Sequence, residues 1–89
     1  MKSILLVEDN PNDRLLMERA LRKTNLGNPL AVAQDGQEAL DYLLGTADTP
    51  PRPLPILVLL DLKLPKIDGL EVLEAIRSHE RTELLPVVI

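Results

Sequence analysis

Eighty-nine residues, 45% of them hydrophobic and 27% charged, are enough for one small globular domain. A net charge of −4 and a single aromatic residue, Tyr42, argue against a phosphate-backbone binder and against a stacking platform for single-stranded nucleic acid. With no Cys, disulfides, thiolate metal sites and thiol nucleophiles are excluded. The stretch from Lys2 to Val7 is too short for a signal peptide, and no apolar run approaches the roughly 20 residues of a membrane span, so the expected location is the cytoplasm.

In chain order, Ile4-Leu5-Leu6-Val7 is an aliphatic run that stops abruptly at Glu8-Asp9 and reads as a first strand. Asn10-Pro11 then signals a helix start, with Asn as cap and Pro at the first helical position. Through to about Lys23, the residues Leu16, Met17, Ala20, Leu21 and Thr24 recur at helical spacing and form the stripe expected to face the core. Arg14, Glu18, Arg19, Arg22 and Lys23 lie largely between them, and Gly27 is the expected stop. Leu30-Ala31-Val32-Ala33 is a weaker second strand. Asp35-Gly36-Gln37-Glu38 has the form of a capping box, followed by Ala39, Leu40, Leu43 and Leu44 as the apolar face of a second helix ending near Gly45. Thr46 to Pro55 holds four prolines and no apolar period, which predicts a surface loop. It matches a P-x-x-P ligand pattern, but clustered prolines before a strand more often stiffen a long connection.

Ile56 to Leu60 is a continuous apolar run between Pro55 and Pro65, the pattern of a strand buried on both faces. Leu70, Val72, Leu73 and Ile76 build a third helix to about His79, Arg81 to Leu85 is a polar connection, and Pro86 to Ile89 opens a fourth strand. The alternation predicts a single α/β domain over residues 1–89, with helices on both faces of a doubly wound parallel sheet.

In such sheets ligands gather outside the carboxyl ends of the strands, at the point where the strand order reverses. If the strands follow the common doubly wound order 2-1-3-4, the first and third lie side by side, and Glu8, Asp9 and Asp61 converge on one sheet edge. Singly, each acid also reads as a turn or helix-dipole residue; their joint placement favours chemistry. Three like charges repel unless a cation neutralises them, and a hard divalent ion such as Mg²⁺ suits carboxylate oxygens while leaving room for a phosphoryl oxygen. The expected chemistry is therefore nucleophilic, with Asp61 forming an aspartyl phosphate while Glu8 and Asp9 hold Mg²⁺.

Leu6-Val7-Glu8-Asp9-Asn10, taken with Asp61-Leu62-Lys63-Leu64-Pro65-Lys66-Ile67-Asp68-Gly69, resembles the receiver domain of two-component response regulators, and the resemblance runs from Met1 to Ile89. It implies a flavodoxin-like fold and a phospho-accepting Asp61 supplied by a sensor histidine kinase. It also implies that the main-chain carbonyl of Lys63 completes the Mg²⁺ site and that Asp68-Gly69 is structural. The stretch Glu8 to Leu21, the Pro-rich loop and Asp-Leu-Lys-Leu-Pro look most like short single-domain regulators that partner phytochrome-type kinases. Receivers carry a Ser or Thr after strand four and a Lys after strand five, and both positions fall past Ile89. Lys63 and Lys66 do not occupy that Lys position. The chain thus reads as a partial receiver lacking the last strand and last helices, able to bind Mg²⁺ but poor at phosphorylation and signalling. An open fourth-strand edge then predicts a homo-oligomer or swapped assembly.

Two other functions compete. A receiver-like interaction module would bind partners without being phosphorylated. An aspartate-nucleophile phosphatase of the haloacid dehalogenase type needs a second Asp two residues after the nucleophile, where Lys63 stands. The favoured reading is a phospho-acceptor, not an enzyme in the usual sense. His79 is read as a helix-end residue without a catalytic role, and Arg19, Arg22 and Lys23 as a solvated helix face. No G-x-x-x-x-G-K or G-x-G-x-x-G is present, so a nucleotide cradle is unsupported.

Overall fold

The sheet of the computed structural model, which describes residues 2–24 and 27–89, is parallel throughout. Its strands are β1 (Ile4–Val7), β2 (Leu30–Ala33), β3 (Leu57–Leu60) and β4 (Val87–Val88), in the order β2-β1-β3-β4. The crossovers are α1 (Pro11–Lys23), α2 (Gly36–Leu44) and α3 (Gly69–Ser78). The expected doubly wound order 2-1-3-4 is the one found. β1 takes a central place because all four of its residues are apolar, and all four are buried. Among the described residues, no helix is long and apolar enough to cross a membrane.

Each helix begins where a local side chain satisfies its first free N–H groups. Asn10 Oδ1 accepts from the N–H of Asn12 at 2.8 Å, and Pro11 follows at the first helical position. Asp35 Oδ1 accepts from the Glu38 N–H at 2.8 Å, and Asp68 Oδ1 from the Glu71 N–H at 2.9 Å. α1 closes at Thr24, whose hydroxyl donates to the Leu21 carbonyl; Gly27, with φ 72°, lies three residues beyond.

The core lies between the sheet and the pair α2 and α3, where Leu5, Val7, Val58 and Leu60 meet Leu43, Val72 and Ile76. Three expectations need correction. First, burial on both faces belongs to β1 and not to β3, in which Val58 and Leu60 are buried but Leu57 and Leu59 only half so. The reason is coverage. Leu59 faces away from α2 and α3, onto a cleft of about 200 Å³ bordered by Met17, Val88 and Ile89.

Second, the apolar stripe of α1 is buried only in part: Leu21 is half-buried, but Leu16 is 61% exposed and Met17 37%. Arg14, Glu18 and Leu21, spaced by four and then three residues, are the half-buried positions. Long polar side chains cover apolar surface with their stems, a contribution that counting apolar residues overlooks. Third, the connection before β4 is polar in composition but belongs partly to the core. Thr82 is fully buried, its hydroxyl donating to the Ile76 carbonyl at 2.6 Å, and Leu85 is buried in the core cluster.

The Pro-rich loop is fixed at its base. Arg81 donates from Nε to the Leu43 carbonyl (3.1 Å) and from its terminal nitrogen to the Arg52 carbonyl (2.8 Å), while the Arg52 N–H donates to the Tyr42 carbonyl.

Candidate functional site

Register brings the acids together. Val7 of β1 lies opposite Ala33 of β2 and Leu60 of β3, so the strands end level. The ladder runs one residue further, with the Glu8 N–H donating to the Ala33 carbonyl at 3.0 Å and the Asp61 N–H to the Val7 carbonyl at 3.2 Å. Glu8, Asp9 and Asp61 therefore emerge side by side at the carboxyl edge, and a carboxylate oxygen from each lies within 4.8 Å of the others. Glu8 is buried, Asp61 half-buried and Asp9 exposed. Further along the chain, the Lys63 N–H donates to Asp61 Oδ1 at 3.0 Å, fixing one oxygen of that carboxylate. The Lys63 side chain is exposed.

The electrostatics show an excess of negative charge. Burial pushes the Glu8 carboxyl up from 4.5 to about 7, with hydrogen bonding to Asp61 and repulsion from Asp61, Asp13 and Asp9 adding to it. Holding a proton is one way to relieve that crowding; a cation is another. Three carboxylates form an all-oxygen donor set, which fits a hard divalent ion better than a soft metal.

The loop from Asp61 to Gly69 closes on itself. The Gly69 N–H donates to the Leu62 carbonyl at 3.1 Å. Gly69 packs so tightly that a Cβ there would lie 2.5 Å from Leu62 Cα and 2.7 Å from the Asp61 carbonyl oxygen. This gives Asp68-Gly69 the structural role expected of it. On the far side of the loop, Lys66 Nζ lies 3.1 Å from Asp35 Oδ2. The Asp35 carboxyl is held below its ordinary value, chiefly by the Glu38 N–H; burial opposes this, and Lys66 adds to the lowering.

Asp35 is the cap that its sequence context predicts; its pairing with Lys66 joins residues 31 apart in the chain, and no local signal announces it. His79 is exposed, with Nδ1 2.9 Å from the Ala75 carbonyl oxygen. Arg19, Arg22 and Lys23 are exposed, as expected for a solvated face.

A sequence profile described as the response regulator receiver domain matches residues 4–89. Response regulator Rcp1 of Synechocystis sp. is 39% identical over 88 residues, covering 99% of this chain and 60% of Rcp1; the crystal structure of its Mn²⁺-bound form superposes with a TM-score of 0.88. The bacteriophytochrome response regulator AtBRR is 51% identical with a TM-score of 0.90, over 99% of this chain and 64% of that one. The phosphorylated cyanobacterial phytochrome response regulator RcpA is 41% identical with a TM-score of 0.87, over 97% and 61% respectively. The chain spans less than two thirds of the length of each.

Proposed function

The chain belongs to the response regulator receiver family, and from that premise we propose that Asp61 is its phospho-acceptor, charged by the phosphohistidine of a sensor histidine kinase. The observation that carries this reading is the convergence of the Glu8, Asp9 and Asp61 carboxylates within 4.8 Å at the carboxyl edge of the sheet. Glu8, Asp9, Asp61 and the main-chain carbonyl of Lys63 would hold Mg²⁺; the Mn²⁺-bound form of Rcp1 supports a divalent ion in such a site. When bound, the ion offsets the negative charge that accumulates as phosphoryl oxygens approach three carboxylates.

In the transfer, an Asp61 oxygen forms the new P–O bond as the P–N bond to the kinase imidazole breaks. The bonding pair stays on the ring nitrogen, which then takes a proton from solvent. The Lys63 N–H on Asp61 Oδ1 orients the carboxylate and leaves its other oxygen for attack. The likeness to AtBRR, RcpA and Rcp1 supports a phytochrome-type kinase as donor, and with it a cytoplasmic site of action. The protein acts stoichiometrically, as an acceptor and not as an enzyme.

The test is incubation with Mg²⁺ and acetyl phosphate followed by intact-mass measurement of wild type and Asp61→Asn. A phosphoryl adduct on wild type alone is expected. A wild-type protein that binds Mg²⁺ yet gains no adduct would overturn the acceptor role and leave a receiver-shaped interaction module.

A further inference from the structure

Lys66 has a φ of 66°, a left-handed conformation that residues with a Cβ seldom adopt. The N–H of Ile67 donates to the carbonyl of Pro65 at 2.8 Å, closing a three-residue turn with Lys66 at its centre. A positive φ at that centre marks the rare, strained form of the γ-turn. Such a conformation persists only where its surroundings over-determine it, and it is then a pointer to function.

The surroundings do so here. Lys66 Nζ is 3.1 Å from Asp35 Oδ2, and Asp35 is itself held by the Glu38 N–H at the start of α2. The next residue, Gly36, approaches so closely that a Cβ would stand 2.6 Å from the Ile67 carbonyl oxygen and 2.8 Å from Val72 Cγ2. The loop is therefore tied in two places, by Gly69 to Asp61 and Leu62, and by Lys66 and Ile67 to the β2–α2 turn. Lys63, whose N–H orients Asp61, lies between the ties.

We infer that the Asp35–Lys66 ion pair is a positioning contact for the acceptor loop, holding residues 62–68 in the conformation that the cation site requires. The inference rests on the acceptor reading given above. Lys66 is well exposed, and an exposed pair adds little to global stability; what it fixes is local. Charge alone makes the opposite prediction. A lysine on the same loop repels an incoming divalent ion, so removing its charge without any positioning effect would tighten Mg²⁺ binding.

The sign of the change is thus the test, read by calorimetric titration of the full chain with Mg²⁺. Lys66→Ala, which removes the pair but keeps a Cβ in the strained turn, is expected to weaken binding by roughly two- to fivefold, the most that an exposed pair can contribute by ordering the loop. Lys66→Arg restores it, and Lys66→Gly, which relieves the turn, falls between. In the metal-free protein, amide exchange at Lys63 and Gly69, whose N–H groups are bonded within the loop, is expected to accelerate in Lys66→Ala and not in Lys66→Arg. Unchanged or tighter binding by Lys66→Ala, or no rescue by Lys66→Arg, would overturn the inference. If wild type binds no Mg²⁺, the acceptor-site reading fails instead, and the exchange measurement still decides whether the pair orders the loop.

Discussion

Glu8 behaves unlike the acid beside it. Asp9 is exposed, whereas Glu8 is 8% exposed and its carboxyl is pushed up to about 7, by burial first and by Asp61 next. A carboxyl raised in the folded state reverses the usual pH dependence. Between 4.5 and about 7, the folded protein binds this proton more tightly than the unfolded chain, so stability falls as pH rises through that window. A shift of that size corresponds to something on the order of 3 kcal/mol at pH values above it. Metal-free protein is expected to lose stability across this range, and Glu8→Gln to remove the slope; urea unfolding in chelator at a series of pH values checks both. An equal slope in Glu8→Gln would assign the effect elsewhere. Asp35 contributes in the opposite sense, since its lowered carboxyl stabilises the fold above its ordinary 3.8 and is lost as pH falls below it. The two windows do not overlap, so one titration separates them. On the proposed assignment of Glu8 as a ligand, the ion needs its carboxyl ionised, so Mg²⁺ affinity is expected to fall as pH drops below about 7.

The elements are joined by a few contacts that substitution can isolate. At Gly36 the first turn of α2 meets the loop of residues 62–68 with no room for a methyl group, the nearest obstacle being the backbone oxygen of Ile67. Gly36→Ala is expected to destabilise by about 1–3 kcal/mol through overpacking, outweighing the smaller entropic gain of replacing glycine. Arg81 satisfies the Leu43 carbonyl near the end of α2 and the Arg52 carbonyl in the Pro-rich loop. Arg81→Ala is expected to cost about 1–2 kcal/mol and to speed amide exchange at Arg52, whose N–H donates to Tyr42. These contacts also mark what the sequence can and cannot reveal. Caps at Asn10, Asp35 and Asp68 are readable because donor and acceptor lie within three residues. The burial of Thr82 depends on the end of α3, and the half-burial of Arg14 and Glu18 depends on packing across the fold. Neither follows from periodicity.

At the scale of the whole molecule, the carboxylate cluster was the most legible feature, because each acid directly follows an apolar run and the parallel register ends those runs level. How completely α1 covers its side of the sheet was not, since coverage depends on helix placement and not on composition. The structure leaves Leu16 61%, Val88 52% and Ile89 65% exposed, with Val88 on the outermost strand beside β3. This edge strand carries apolar side chains and no charge or bulge, so its shortness and Pro86 directly before it are what oppose pairing with another chain. A polypeptide limited to residues 1–89 is still expected to self-associate through β4, burying Val88 and Ile89 with the cleft lined by Met17 and Leu59. Sedimentation velocity over a hundredfold range of concentration provides the measurement. Val88→Lys with Ile89→Lys places charge on that edge and should return the protein to a monomer; because Glu8 and Asp61 line the same cleft, the added cations are also expected to weaken Mg²⁺ binding. A wild-type polypeptide that remains monomeric throughout would show that the two-residue strand is too short to template a partner, whatever its composition.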